Sequence, residues 1–241
     1  MHSRNALLVS FFCLLNSTLI LASDLPIIIP NKIDSSSKIA LEKAFSEVSA
    51  LLPIKFKKGL PEKIQLKIKE LSDHQGIPAD VCSPSVDVNK KHKRPFVYGE
   101  YDNISDTLIL NKAVVNELIR GRSASTLMDC RCRSLYGQAI SSIIHELTHA
   151  YDSNNQFVSS SYEFSTRADF KLGFFGFKSK NKEAMRSADS YELKNVAEAY
   201  AVNMEYFTMD PEFACRKPAL FEYFRQSFQS DPFLNRNCSL N

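Results

Sequence analysis

The stretch Ile143-Ile144-His145-Glu146-Leu147-Thr148-His149-Ala150-Tyr151-Asp152 decides how this chain is read. It closes a longer segment, Leu135 to Asp152, in which Ile140, Ile143, Ile144, Leu147 and Ala150 recur at helical spacing. Side chains four apart on a helix lie about 40° apart around the axis and one turn along it, so His145 and His149 can reach a common point. Such a pair of imidazoles suits a tetrahedral zinc ion, Zn2+. Glu146 projects from the adjoining face, where it can contact a metal-bound water without taking a ligand position. Two imidazoles and a carboxylate on an otherwise apolar helix are expensive to bury without a partner, which favours a metal site over incidental histidines.

Histidine is scarce, at 5 in 241 residues, and none follows His149. The extended metzincin pattern is therefore excluded, because its later Gly and His positions hold Asp152 and Asn155. A carboxylate must supply the third ligand. The best candidate is Glu198, in a second helical stretch from Asn195 to Phe207 where Val196, Tyr200, Met204 and Phe207 share one side. Ala197, Ala199 and Ala201 around it allow close helix approach. Glu205, seven residues on and about 20° away around the wheel, is the alternative ligand. Glu198 also fits a blander role, as the N3 partner of a cap at Asn195. Asp152, two turns from His145, is expected either to accept that imidazole's second ring N–H or to cap the helix end.

Around this centre the chain reads as an ordinary globular protein. It is 44% hydrophobic and 24% charged, with 7 Gly, 10 Pro, 17 Phe, 9 Tyr, no Trp and a formal charge of +3. That is too apolar for disorder, too poor in Gly and Pro for a collagenous chain, and far from the charge of a polyanion binder. Ser35-Ser36-Ser37 followed by Ile39, Leu41, Phe45, Val48 and Leu51 predicts a capped amphipathic helix. Lys63 to Lys69 alternates at strand period. Phe96 to Tyr101 and Thr107 to Asn111, with a turn at Asp102-Asn103, predict a β-hairpin whose edge a peptide can extend. Lys112 to Ile119 returns to helical spacing. The basic run Lys90 to Arg94 lies in a Pro- and charge-rich passage, Gly76 to Pro95, and lacks interleaved aromatics, so it reads as a solvated loop with no nucleic-acid partner.

The N-terminus carries Arg4, an apolar run from Leu7 to Leu15, a polar Asn16-Ser17-Thr18 patch and a small residue at Ala22. This pattern is that of a signal peptide over residues 1–22, which implies a secreted or periplasmic protein with no membrane insertion after cleavage. Residues 23–241 then form one domain, with a helix and sheet part (23–134) and a helical part carrying the metal motif (135–241). An oxidising compartment favours disulfides among Cys82, Cys130, Cys132, Cys215 and Cys238, whose spacing leaves the connectivity open. Gly173-Phe174-Phe175-Gly176-Phe177 is an apolar stretch that lines the cleft, covers it or belongs to the core.

Taken together, His145 to Asp152, Ser190-Tyr191, Asn195 to Ala201 and Asp210-Pro211-Glu212 resemble the zincin group that includes the anthrax lethal factor catalytic domain and the MtfA-like peptidases. The resemblance spans roughly Leu135 to Glu212 and departs from the group at Ala199-Tyr200, where two aromatics are usual. It implies an α+β, zincin-like metallopeptidase fold: a small mixed sheet and an HExxH helix packed against a second ligand-bearing helix. It also implies zinc on His145, His149 and Glu198, with Glu146 as general base and Tyr191 stabilising an oxyanion. The resulting expectation is an exported zinc metallopeptidase acting on protein or peptide substrates. Its alternative is a zinc-binding regulator of the same fold that grips a partner protein with little or no turnover.

Overall fold

The computed structural model describes residues 24–71, 97–121, 134–168, 192 and 194–233. The alternating stretch forms strand β2 (Ile64–Lys69), with Ile64 and Leu66 buried and Gln65, Lys67 and Lys69 exposed. A two-residue strand β1 (Ile27–Ile28) pairs parallel with it. The predicted hairpin is present as β3 (Gly99–Asp102) and β4 (Thr107–Asn111), antiparallel in register Gly99 to Leu110. Its first strand starts at Gly99, and Phe96, where it was expected to begin, lies outside the described residues. Its turn is longer than the dipeptide expected: Asp102 accepts from the Ile104 amide at 3.0 Å and the Ser105 hydroxyl at 2.6 Å, which closes a four-residue connection. β4 also pairs parallel with β2, giving a mixed sheet of order β1-β2-β4-β3 with β3 at one edge. Every residue of β4 is buried, as its central place requires.

Helix α1 (Ser35–Leu51) is capped by Asp34, not by the serine run: the Asp34 carboxylate accepts from the Ser37 amide at 2.8 Å. Its negative charge also complements the positive end of the helix. A short α2 (Ile54–Lys58) follows. Helix α3 (Lys112–Arg120) leaves β4 directly, with Asn111 as its cap, and stops at Gly121, whose φ of 55° is left-handed and suits a residue without a Cβ. Helix α4 (Leu135–Asn154) carries the histidine motif, and Ile140, Ile143, Ile144, Leu147 and Ala150 on it have no exposed surface. Short α5 (Tyr162–Arg167), α6 (Val196–Met209), α7 (Phe213–Arg216) and α8 (Pro218–Phe228) complete the described helices. The molecule is thus α+β, with a small mixed sheet against a helical body.

α4 packs along α6 on one side and touches β3 on another. α6 is buried nearly all round, from Glu198 to Met209, and its Glu198, Asn203, Glu205 and Thr208 side chains all have partners inside the protein. Its Tyr200 and Phe207 join Phe164, Tyr223, Phe224 and Phe228 in an aromatic core, with Phe164 and Tyr200 edge to face at 4.9 Å. Polar groups brace the same region. Lys217, fully buried, pairs with Glu192 and donates to Asn203 at 3.1 Å, while Asn203 donates to Glu192 at 2.7 Å. Arg216 pairs with buried Asp210 and lies 5.1 Å from the Tyr206 ring centre.

Among the described residues no helix is long and apolar enough to cross a membrane. Cys215 is disulfide-bonded. The leader, the basic run, the Gly173 to Phe177 stretch, Tyr191 and the other cysteines lie outside the described residues.

Candidate metal centre

α4 and α6 bring His145, His149 and Glu198 together, with one donor atom from each inside a 4.8 Å sphere of mutual distance. Nε2 of His145 stands 3.0 Å from Oε2 of Glu198 and 3.1 Å from Nε2 of His149. Nε2 of His149 stands 3.4 Å from the same Glu198 oxygen. A tetrahedral ion with bonds of about 2.1 Å holds its ligands about 3.4 Å apart, so the three atoms outline one face of such a polyhedron. The donor set, two imidazoles and a carboxylate, is one that zinc accepts. These residues can hold a metal ion.

The cap reading of Glu198 is also correct, and the two roles do not compete. Asn195 caps α6 by accepting from the Glu198 backbone amide at 2.9 Å, which leaves the Glu198 carboxylate to turn toward the histidines. Burial alone would raise that carboxyl, but hydrogen bonds from His145, His149 and Lys194 outweigh it and hold Glu198 far below the usual carboxylate range.

Two expected roles change hands. Glu205 does not join the ligand atoms: its Oε1 lies 2.7 Å from Nδ1 of His145, on the far side of the ring. Seven residues of helix advance about 10 Å along the axis, so a small angular offset from Glu198 did not mean a shared target. Glu205 thereby takes one of the two roles expected of Asp152, engaging Nδ1 of His145 while Nε2 faces the site. Asp152 is as far from His145 along α4 as Glu205 is from Glu198 along α6. It accepts instead from the Ser159 amide at 2.7 Å and hydroxyl at 2.6 Å, while its carbonyl takes the Phe157 amide at 2.8 Å. This clamp holds a turn in which Gln156 and Phe157 both have left-handed backbones, φ 60° and 56°. Half-exposed Phe157 reaches the cleft beside the histidines.

That cleft has a volume of about 770 Å3 and is walled by α4, the start of α6 and the β3 edge. Glu146 lines it and is only 6% exposed; burial, the main cause, pushes its carboxyl up. Burial also works against a charged His145, yet bonds to Glu198 and then Glu205 prevail and carry the metal-free imidazole up to about 10. Gly99 lies against Glu146 so closely that an added Cβ would fall 2.9 Å from its Cγ. Lys194, which the sequence reading passed over, donates to the second Glu198 oxygen at 2.9 Å. Its spacing of four residues before Glu198 is the signal that could have found it. Tyr191, the expected oxyanion donor, lies outside the described residues.

A family profile described as a domain of unknown function, DUF7844, matches residues 171–237. This is well under half of the chain, and it includes Lys194, Glu198 and Glu205 but neither histidine of the motif. Mlc titration factor A of Escherichia fergusonii is 47% identical over 53 residues, which cover 22% of this chain and 20% of that protein. The chain thus aligns with about a fifth of the relative's length. No solved structure matches. The relative corrects the expectation of a metallopeptidase function, because it is named for titrating Mlc and not for hydrolysing peptide bonds. The partner-binding alternative is the better supported of the two.

Proposed function

We propose that this chain is a zinc-binding protein of zincin-like construction that grips a partner protein with little or no turnover. The likeness to a protein named as a titration factor carries this reading. The donor spacing of 3.0 to 3.4 Å supports zinc as the ion. His145, His149 and Glu198 would hold it. Three protein ligands leave a zinc ion one open position, a Lewis-acid centre that a partner's donor group can occupy. The chain's own contribution is a cleft with a half-exposed aromatic residue, Phe157, on one side and the β3 edge on another.

The test is to load the purified chain with zinc, capture partners from extract of its own source, and remeasure binding with the isolated partner. Wild type and Glu146→Gln should hold the partner equally, whereas His145→Ala or a chelator should release it. Partner cleavage over many turnovers that disappears in Glu146→Gln would overturn the proposal.

A further inference from the structure

Lys194 lies just outside α6, one residue before the Asn195 cap, and its side chain is 53% exposed whereas that of Glu198 is 11% exposed. Ordinary helix energetics do not account for the contact between them. A cation beside the N-terminus of a helix opposes the helix dipole. A Lys placed before Glu is also the weaker order for a pair four residues apart. The geometry accounts for it better. Nζ of Lys194 takes Oε1 of Glu198 at 2.9 Å, while Oε2 stands 3.0 Å from His145 and 3.4 Å from His149. The two carboxylate oxygens therefore have separate occupations.

We infer that Lys194 is a positioning residue for the metal centre, holding Oε1 so that Glu198 offers the ion a single oxygen. This inference rests on the metal centre of the proposed function. A carboxylate with both oxygens at liberty can bind bidentately, the manner of hard ions of high coordination number such as calcium. With Oε1 engaged, the site presents two nitrogens and one oxygen, the set that a four-coordinate zinc requires. The charge of Lys194 repels a cation nearby, so its removal has opposite consequences under the two accounts. A positioning role makes binding weaker, and a bare electrostatic effect makes it tighter.

The experiment uses the full chain as wild type, Lys194→Met and Lys194→Arg. Zinc affinity is read by competition with a chromophoric chelator, and coordination by the visible absorption of the cobalt(II)-loaded protein. Melting of the metal-free proteins confirms that all three fold. Lys194→Met is expected to weaken zinc about tenfold, as loss of a group that orients a ligand does. Its cobalt band should lose intensity as the coordination number rises from four to five, and Lys194→Arg should restore both readings. If Lys194→Met binds zinc as well as wild type or better, with an unchanged cobalt spectrum, the inference is wrong while the metal centre stands. If wild type takes up neither metal, the metal centre and the role of Lys194 both fall.

Discussion

Replacing Gly99 with alanine probes the contact between β3 and Glu146. An ideal Cβ at position 99 would stand 2.9 Å from Cγ and 3.4 Å from Cδ of Glu146, and 3.0 Å from the Ile109 carbonyl oxygen. Ordinary contact begins near 3.4 Å, so one side must retreat by about 0.5 Å. Glu146 is buried apart from the part that lines the cleft, and the carbonyl belongs to central β4. Either the strand shifts against β4 or the Glu146 side chain gives up its present place beside the histidines. Overpacking of this kind costs about 1–3 kcal/mol. For a chain of this size each kcal/mol lowers Tm by about 2–4 °C, so thermal unfolding of Gly99→Ala should show a fall of at least about 2 °C. A double-mutant cycle locates the cause. Glu146→Ala removes two of the three close atoms, so Gly99→Ala should be milder by at least about 0.5 kcal/mol in that background. An unchanged Tm, or additive effects across the cycle, would show that β3 does not press on Glu146.

Zinc in excess at a hundredfold over its Kd should stabilise the fold by about 2.7 kcal/mol, and His145→Ala should erase the gain in thermal unfolding. The metal-free His145 sits at about 10, above its ordinary 6.5, so its contribution is complete below about 6.5 and is lost as pH rises toward 10. Zinc uptake near pH 7.5 must then displace a proton, seen in calorimetry as a binding heat that changes with the buffer's ionisation enthalpy; identical heats would contradict it. Asp152→Ala should speed amide exchange at Ser159 and leave zinc affinity within about twofold, because Asp152 holds the 156–160 turn and not His145; a larger loss of zinc would return it to the ligand-orienting role. Lys217→Met breaks a buried pair and should cost about 3–5 kcal/mol in denaturant unfolding, a loss that a surface lysine would not show.

What the sequence made legible was periodic or local. The alternation in Lys63 to Lys69, the apolar spacing along α4, and the four-residue separation of His145 and His149 are each properties of one element, and the structure keeps them all. The absence of any histidine after His149 pointed to a carboxylate, and Glu198 is the one beside both imidazoles. Distance along a helix axis is less legible than angle around it. Angular position alone kept Glu205 open as an alternative ligand and Asp152 open as a partner of His145, whereas the axial rise puts Glu205 at Nδ1 of His145 and Asp152 at the turn that follows α4. Gly99 was unreadable because its reason is Glu146, a residue remote in sequence and adjacent only after β3 settles on α4. Three serines in a row hide the cap at Asp34, whose carboxylate adds charge to the same hydrogen bond.

The burial of α4 divides the centre into parts that differ in how freely they can be altered. His145 sits between Ile144 and Glu146 in a helix whose Ile140, Ile143 and Leu147 also anchor the hydrophobic body. Exchanging that donor for one of another size disturbs the packing as well as the ion, so substitutions there will be filtered by folding before binding is ever tested. Glu198 stands in the first turn of α6, and Lys194 precedes that helix with half its surface in water. An engineer seeking to change which metal the centre prefers, or how firmly it is kept, therefore has a permissive handle at the approach to α6 and a rigid one in α4.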